Sequence, residues 1–349
     1  MTRHLIRIMI LSGLTIAMAQ TPVKPPVPMS QTITGVTFAP ASTIIRLAPG
    51  GDNWPVTWGD DNLLYTTYGD GWGFEPKVPD KLSIGYGKVL GTPPYLIGFN
   101  IRSTGERSGQ GREGEKGCGI IMVDGVIYIW LMHADHQGGQ CRLAWSDDHL
   151  KTVHFNDWQF PDFGICTFIN YGKNNAGARD EYVYTVSHDS PRADLPADRF
   201  VLMRVHRDHI LDRDAWEFYT GMDSDGNPQW SSDLNHRGAV FENPNACLRS
   251  SISYNPKLGR YIWWQQIPNY AEKNGDLGDT RFEGGFGLYE APEPWGPWST
   301  ILYTTQWDVG PGELACFPAK WLSNDGKQGY MVFSGDDAFS VRKFTFSTR

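Results

Sequence analysis

Short apolar segments recur along the chain as hairpins. Each hairpin has an apolar strand, a tight turn, an aromatic-rich strand and a tail with acidic or histidine side chains, such as Gly69-Asp70-Gly71. Five of these hairpins span residues 54–68, 118–131, 165–187, 248–266 and 315–334. Similar units repeated at intervals of roughly 50–80 residues are typical of the blades of a β-propeller.

The pattern predicts an all-β fold, a five-bladed β-propeller. After the last hairpin the chain has room for one further strand, near residues 340–346, so the last blade lacks a fourth strand. Residues 34–47 are expected to supply it and to close the ring by joining the two ends of the chain. Closure removes the unpaired sheet edges that an open propeller would expose.

The N-terminal segment has the features of a secretion signal. Arg3 and Arg7 flank the start of an apolar run over residues 5–18, and Ala17-Met18-Ala19 matches a cleavage site before Gln20. The run is too short to span a membrane. We predict a signal peptide at residues 1–19, a disordered lead-in at 20–30 and a single catalytic propeller domain at 31–349. The mature protein would be secreted or periplasmic.

Charge and cysteine content narrow the class of function. The formal net charge is −8 and no basic block or stripe is visible, so a nucleic-acid partner is not expected. The five cysteines are odd in number and have no Cys-x-x-Cys spacing. Most of them lie on or beside predicted strands, which favours buried free thiols over a disulfide framework.

Two segments between the strands are expected to be structural. Residues 103–117 are rich in glycine and charge and are predicted to form a loop outside the core. Residues 146–153 resemble the Asp-box hairpin of sialidase-type propellers, with Leu150 and Val153 in place of the glycine and tryptophan of that motif. Asp148 is expected to bind turn amides there and to have no catalytic role.

Propeller topology sorts the polar side chains between the two ends of the central channel. In each blade the start of the first strand and the end of the second lie at one end, which we call the mouth. The residues expected at the mouth are Asp52, Asn53, Asp70, His133, Asp135, His188, Asp189, Arg249, Glu313, Asp336 and Asp337, with Trp54, Trp72 and Trp307 beside them. The turn carboxylates Asp60, Asp61, Asp124 and Asp325 belong to the opposite end and are expected to be structural.

Carboxylates and aromatic rings around one opening suit a carbohydrate, because sugars stack on rings and hydrogen-bond to polar side chains. Glycoside cleavage needs one carboxyl group that donates a proton and a second that acts as base or nucleophile. The catalytic candidates are Asp52, Asp70, Asp189 and Glu313. The substrate-binding candidates are Asn53, Trp54, Trp72, His133, His188, Arg249, Trp307 and Asp336. We predict a monomeric glycoside hydrolase that acts on a polysaccharide or oligosaccharide.

Other interpretations stay open at this point. Asp52 and Asp70 lie in Gly-rich segments, where either could simply hold a turn. A polysaccharide lyase would use a histidine or tyrosine base and Arg249 to neutralise a uronate, and a non-catalytic carbohydrate-binding propeller would need no carboxyl pair. Residues 133–136 have the spacing of a metal site but no helix to fix its geometry. No cofactor is expected, with a structural Ca²⁺ in the channel as the remaining alternative.

Several motifs together resemble a bacterial family known as domain of unknown function family 4185. They are Asp52-Asn53-Trp54-Pro55-Val56-Thr57-Trp58, Tyr68-Gly69-Asp70-Gly71-Trp72-Gly73-Phe74, Ala178-Arg179-Asp180, Ser187-His188-Asp189, Tyr289-Glu290-Ala291-Pro292, Gly296-Pro297-Trp298 and Phe333-Ser334-Gly335-Asp336-Asp337. They are spread over nearly all of the predicted mature chain. The resemblance implies a five-bladed propeller distantly similar to furanosidases and glycoside hydrolase activity, with arabinan-type furanoside polymers as one substrate. It assigns no catalytic pair.

Overall fold

Almost all regular structure in the chain is β-strand. The structure, a computed structural model, describes residues 24–268 and 279–349, so the predicted signal peptide lies outside the described residues. Within these ranges no helix is long and apolar enough to cross a membrane. The helices described are three-residue 3₁₀ turns at Ala41–Thr43, Gly111–Glu113, Lys173–Asn175, Arg207–His209, Arg213–Ala215, Leu234–His236, Ala319–Trp321 and Gly335–Asp337.

The first two blades are antiparallel sheets built from consecutive strands. Two N-terminal strands, β1 (Ile33–Phe38) and β2 (Ile45–Leu47), come before them. Blade one contains β3 (Val56–Trp58), β4 (Leu64–Tyr68), β5 (Leu82–Thr92) and β6 (Tyr95–Ile101), and β7 (Arg107–Ser108) pairs with β5. Blade two contains β8 (Lys116–Val123), β9 (Val126–Met132), β10 (Cys141–Ser146) and β11 (His154–Phe160).

The remaining sheets complete the predicted five-bladed propeller. Blade three contains β12 (Cys166–Phe168), β13 (Tyr182–His188), β14 (Ala197–His206), β15 (Glu217–Met222) and β16 (Pro228–Ser231), with β17 (Phe241–Cys247) paired to β14. Blade four contains β18 (Ser250–Asn255), β19 (Arg260–Ile267), β20 (Gly285–Ala291) and β21 (Ser299–Thr304). Blade five contains β22 (Ala315–Cys316), β23 (Gln328–Phe333), β24 (Phe339–Thr348) and the N-terminal β1. The innermost strands are β3, β8, β12, β18 and β22.

The ring closes through the N-terminal segment, as predicted. β1 pairs antiparallel with β24 in a register that sets Val36 opposite Phe346. Residues 34–47 form two strands, because the turn at Ala41–Thr43 separates β1 from β2 and both pair with β24. The preceding residues 27–30 are bound to blade four: the Thr300 amide donates to the carbonyl of Pro28 at 2.7 Å, and Ser30 Oγ donates to Glu290 Oε1 at 2.6 Å. This part of the predicted lead-in is therefore ordered.

Apolar side chains fill the spaces between neighbouring blades. Between blades two and three, the ring of Trp216 packs edge to face on Trp130 and Phe160, which are tilted against each other, with ring centroids 5.4–5.9 Å apart. Rings bury more apolar area than any other side chain, so these contacts supply much of the stabilisation of the fold. All five cysteines are buried free thiols, which confirms the interpretation favoured by the sequence.

The Asp-box segment behaves as predicted. Asp148 Oδ1 accepts hydrogen bonds from the Thr152 amide at 2.8 Å and from Ser146 Oγ at 3.0 Å. Ser146 Oγ in turn accepts from the Leu150 amide at 2.9 Å. The carboxylate holds the turn between β10 and β11.

The loop predicted at residues 103–117 is only partly exposed. Glu115 and Lys116 at its end are buried, each 4% exposed. Arg142 donates to Glu115 Oε2 at 2.7 Å, and Lys116 forms an ion pair with Asp70. Polarity alone was a wrong guide for these two residues, because a partner of opposite charge offsets the cost of burying a charge.

Candidate active site

A short antiparallel bridge brings Asp52 and Asp70 together at the mouth. The Asp52 amide donates to the Gly69 carbonyl at 2.9 Å, and the Gly69 amide donates to the Asp52 carbonyl at 3.0 Å. Asp52 lies just before the inner strand β3, and Asp70 follows β4, so both ends of one hairpin meet here. A Cβ atom at Gly69 would lie 2.5 Å from Asp52 Oδ1, so only glycine allows the carboxyl group its position.

Asp52 is the most perturbed carboxyl group at the mouth. The residue is 7% exposed, and burial together with the negative charge of Glu313 raises its pKa to about 8. Asp70 acts in the same direction, whereas the positive charges of Lys116 and Arg249 oppose the shift. Burial disfavours the charged form of a carboxyl group. Asp52 therefore holds a proton at neutral pH.

Asp70 is held in a different way. It forms an ion pair with Lys116, and its Oδ2 accepts a hydrogen bond from the Gly111 amide at 2.9 Å. Its side chain is 20% exposed, so a ligand can reach it. The backbone of Asp70 has a φ of +43°, a conformation that few residues other than glycine adopt. The ion pair and the amide fix the Asp70 carboxyl group next to the protonated Asp52.

Glu313 reaches the same cluster from blade five. Arg249 Nη1 donates to Glu313 Oε2 at 2.7 Å and to Asn53 Oδ1 at 3.1 Å. Asn53 Nδ2 donates to Asp52 Oδ1 at 2.6 Å. One chain of hydrogen bonds thus runs from Glu313 through Arg249 and Asn53 to Asp52, and it joins blades five, four and one.

The two histidines predicted to bind substrate, His133 and His188, are buried. Burial and the nearby charge of Arg249 lower the pKa of both His133 and His188 to about 4. His133 Nδ1 contacts the Gly114 carbonyl at 3.2 Å, and His188 Nε2 contacts the Arg192 carbonyl at 2.8 Å. These ring nitrogens must carry the hydrogen, because a carbonyl oxygen can only accept. Both imidazoles are neutral at neutral pH, and their contacts fix the tautomers.

Asp189 has a separate set of partners within blade three. Arg199 pairs with its Oδ2 at 2.7 Å and Arg237 with its Oδ1 at 2.8 Å. Neither its ion pairs nor the main charges acting on Asp52 join it to the carboxyl cluster. Asp189 is thus bound to two arginines of blade three, and the catalytic role expected from the sequence stays a prediction.

The three predicted tryptophans differ in their exposure. Trp54 is 1% exposed and packs on Tyr68, Phe74 and Phe339, so its ring is part of the core and is not a sugar platform. Trp72 is half-buried at the mouth. Trp307 is also half-buried.

Trp307 and Asp336 lie toward the outside of the site. Trp307 packs on Phe38, Phe286 and Phe333, between blades four and five. Asp336 is exposed and pairs with Arg46 at 2.9 Å. Among the described residues, no hydrogen bond, ion pair or ring contact joins either of them to Asp52, Asp70 or Glu313.

Sequence reasoning missed Lys116 as a site residue. A lysine at the first position of an innermost strand, followed by the apolar stretch of β8, was the available signal, because a buried ammonium needs an anionic partner. Asp337, which the sequence places at the mouth, lies close enough to Glu313 for their charges to interact. Its pKa is raised, mainly by burial, and the charge of Glu313 adds to the effect.

A cavity of about 200 Å³ lies beside the carboxyl cluster. Arg249 and Glu313 form one side of it, and its other lining residues are Asp194, Leu248, Gln266, Pro268, Asp279 and Thr280. Gln266 Nε2 donates to Thr280 Oγ1 at 2.6 Å. The lining is rich in hydroxyl, amide and carboxyl groups, which are the groups that bind sugar hydroxyls.

Among the described residues, the one group of three or more potential metal ligands within mutual reach is Asp60, Asp61 and His149, at the end opposite the mouth. His133 and His136 instead use their Nδ1 atoms on backbone carbonyl oxygens of Gly114 and Glu113. Asp135 Oδ1 accepts from the Gln137 and Gly139 amides, both at 2.8 Å. Residues 133–136 thus form a hydrogen-bonded loop.

Comparisons with known proteins find similarity in structure but not in sequence. No family model matches the chain, and no curated protein sequence matches it, so membership of family 4185 stays a prediction. Solved structures similar to this one include the GH43_1 enzyme from Xanthomonas citri, with 13% identity, a TM-score of 0.47 and coverage of 88% of this chain and 95% of that chain.

Two other similar solved structures are a β-xylosidase and a galactanase. RS223-β-xylosidase has 11% identity and a TM-score of 0.46 over 87% of this chain and 95% of that one. The exo-β-1,3-galactanase from Phanerochaete chrysosporium has 9% identity and a TM-score of 0.47 over 87% of this chain and 64% of that one. Identities and TM-scores this low do not assign a protein family. The class of protein is therefore defined by the strand order of the chain itself, which is a five-bladed β-propeller with a carboxyl cluster at one end.

Proposed function

We propose that the protein is a glycoside hydrolase whose catalytic pair is Asp52 and Asp70. The observation that carries the proposal is a protonated, buried carboxyl group beside an ion-paired one, on adjoining segments of one hairpin. A pair of carboxyl groups in opposite protonation states is what glycoside cleavage needs.

Asp52 has the properties of the general acid. Burial and Glu313 raise its pKa to about 8, so it still carries its proton at neutral pH. Asn53 Nδ2 donates to Oδ1, which leaves the hydroxyl of Oδ2 to donate to the oxygen of the leaving sugar. A proton donor works best when its pKa lies near the working pH.

Asp70 would act as the base or nucleophile. Lys116 and the Gly111 amide hold its carboxylate, and its side chain is more exposed than the neighbouring lysine (20% against 5%). Glu313 is engaged by Arg249, and in this proposal its charge serves to raise the pKa of Asp52. Retention or inversion depends on the separation of the two carboxyl groups, and the anomeric form of the first product distinguishes them.

The finer parts of the proposal rest on the sequence. The apolar segment and cleavage pattern at residues 5–19 favour a secreted or periplasmic protein. A monomer is part of the proposal. The resemblance to family 4185 favours an arabinan-type furanoside polymer as substrate. The chemistry of two carboxyl groups requires no cofactor, and a structural Ca²⁺ in the channel is compatible with it.

The lyase alternative is weaker at this site. It requires Arg249 to neutralise a uronate, but the guanidinium already donates to Glu313 and Asn53. The alternative of non-catalytic carbohydrate binding gives no reason for a carboxyl group whose pKa is raised to about 8.

The test is a screen of the purified protein against plant, algal and bacterial polysaccharides. Reducing ends and ultraviolet absorbance are measured together. We expect new reducing ends without an absorbing product, and loss of these reducing ends in the Asp52→Asn variant. The matched control is Asp225→Asn, in an exposed turn of blade three. An ultraviolet-absorbing, unsaturated product would establish the lyase, and binding without any cleavage would establish the non-catalytic alternative.

A further inference from the structure

The indole ring of Trp72 lies next to the segment that carries Asp52. A Cβ atom on Gly50 would lie 3.3 Å from the ring, so the ring rests against the backbone two residues before Asp52. Trp72 also follows Asp70 by two residues. A half-buried ring in this place is where a sugar bound beside the catalytic pair would stack.

Two lysines lie over this one ring. The Nζ atoms of Lys77 and Lys81 are 5.6 Å and 5.5 Å from its centroid. Each is attracted by the π-electrons of the indole, but the two positive charges repel each other. An anion bound near both would remove that repulsion.

Neither ammonium is neutralised by the protein. Over the described ranges, 24–268 and 279–349, neither Lys77 nor Lys81 forms an ion pair; their polar contacts are the long ones of Lys77 to the Pro49 carbonyl (3.4 Å) and of Lys81 to Gln110 Oε1 (3.5 Å). The other cations of the mouth are paired. Lys116 pairs with Asp70, Arg249 with Glu313 and Arg281 with Asp279.

The lysines are also connected to the catalytic cluster. Gln110, which Lys81 contacts, precedes Gly111, whose amide binds Asp70. Burial raises the pKa of Asp337 at the rim, and the positive charge of Lys81 opposes this shift. The two ammonium groups and the ring therefore belong to the same surface as the carboxyl pair.

Resting on the proposed hydrolase activity, but in place of the neutral arabinan that the resemblance favours, we infer that the substrate is an anionic glycan, and that a sugar unit bearing a carboxylate, sulfate or phosphate group binds at Trp72 between Lys77 and Lys81. The ring would take the apolar face of the sugar and the ammonium groups its charge. A neutral glycan would leave both lysines without a counter-ion.

Binding to the inactive Asp52→Asn protein tests the inference by calorimetry. The probes are α-1,4-linked galacturonic acid trisaccharide, the neutral galactose trisaccharide of the same linkage, and sulfated and phosphorylated galactose trisaccharides. We expect at least one charged probe to bind roughly tenfold more tightly than the neutral one, with the preference reduced at high salt. The comparison among the charged probes identifies the anionic group.

The Lys77→Met/Lys81→Met double variant, in the same background, should lose this preference and retain binding of the neutral probe. Lys343→Met, an exposed lysine on β24, is the matched control and should retain the preference. Thermal melting checks that each variant is folded. Equal binding of charged and neutral probes, no binding of any charged probe, or a preference that survives in the double variant would overturn the inference.

The two proposals fail in different ways. Absence of cleavage together with a lysine-dependent charge preference would refute the hydrolase and leave the anion subsite. Cleavage of neutral glycans with no charge preference would refute the subsite and leave the hydrolase.

Discussion

The hairpin of β3 and β4 carries a pair of aspartates at each of its ends, and the two pairs have opposite properties. At the mouth, burial and neighbouring negative charge raise the pKa of Asp52 to about 8. At the other end, a hydrogen bond from His149, 2.8 Å from Asp60 Oδ1, lowers the pKa of Asp60. Each end of the hairpin carries two aspartates, so their number does not explain the difference. Burial away from water is what prepares the pair at the mouth for proton transfer.

Asp70 and Asp61, the second aspartate of each pair, differ in the same way in their binding partners. Asp70 forms an ion pair with the buried Lys116 and stays accessible at the mouth. Asp61 accepts from Tyr65 Oη at 2.7 Å and from the Leu63 amide at 3.1 Å, which holds the turn. A carboxylate bound within its own turn is structural. Asp70 is instead held by a lysine of the neighbouring blade, which leaves it free to act on a ligand.

The largest expected effect is on turnover. Asp52→Asn and Asp70→Asn should each lower kcat by about 10²–10⁴-fold, because each removes one member of the acid–base pair. Asp60→Asn and Asp61→Asn are the matched controls at the other end and should leave kcat within about twofold. Initial rates of reducing-end release measure kcat, and calorimetry measures substrate affinity, so that an effect on turnover is separated from an effect on binding. Equal losses at both ends would show that folding, not chemistry, had been damaged.

Topology made the mouth predictable from sequence. Five hairpins with regular turns defined the blades, and the rule that a first-strand start meets a second-strand end placed Asp52 beside Asp70. The same rule placed Asp60 and Asp61 at the far end. These assignments needed only strand order, because neighbouring strands of one hairpin share their ends whatever their side chains do.

Side-chain partners from other parts of the chain were not predictable. Arg199 and Arg237, which bind Asp189, lie 10 and 48 positions away, and no periodic pattern connects them to it. Trp54 turns into the core through a backbone with a φ of +59°, and strand alternation does not predict this direction. Such contacts depend on loop conformation, for which a single sequence has no regular signal.

The second-largest expected effect is on the pH dependence of kcat, which should distinguish the two ends of the β3–β4 hairpin. Activity needs protonated Asp52, so the rate should fall as the pH rises through a value near 8. Glu313→Gln removes a negative charge that disfavours ionisation of Asp52. The alkaline limb should therefore move to lower pH, by roughly one unit.

Asp61→Asn is the control for that shift, since it removes a negative charge from the far end of the same hairpin. The rate of each protein is measured from about pH 5 to pH 10. A limb that does not move in Glu313→Gln would mean that a group other than Asp52 sets it.

Stability should depend on pH through Asp52. Its folded pKa lies above the unfolded value, so the folded state binds the extra proton between about pH 4 and pH 8, and stability from this group falls as pH rises. Each pH unit in that window corresponds to about 1.4 kcal/mol. Between pH 5 and pH 7 the unfolding free energy of Asp52→Asn should therefore rise relative to the wild type by on the order of 2–3 kcal/mol.

Urea unfolding at each pH measures this difference, and other titrating groups cancel because both proteins contain them. The sign is the critical point. A wild-type protein that gains stability relative to Asp52→Asn over the same range would show that Asp52 is ionised in the folded state.

The smallest effect has the opposite sign and belongs to the far end. The lowered pKa of Asp60 means that its contribution is present above the unfolded value and is lost as pH falls below about 4. The side chain is 40% exposed, so solvent screens the interaction and the contribution is at most a few tenths of a kcal/mol. Asp60→Asn should lower stability by that amount at pH 6 and not at pH 3, measured by the same urea titrations. Because Asp52→Asn is expected to gain relative stability as the pH rises while Asp60→Asn loses it, opposite slopes in two variants of one hairpin would show directly that burial, and not the presence of paired acids, distinguishes the mouth.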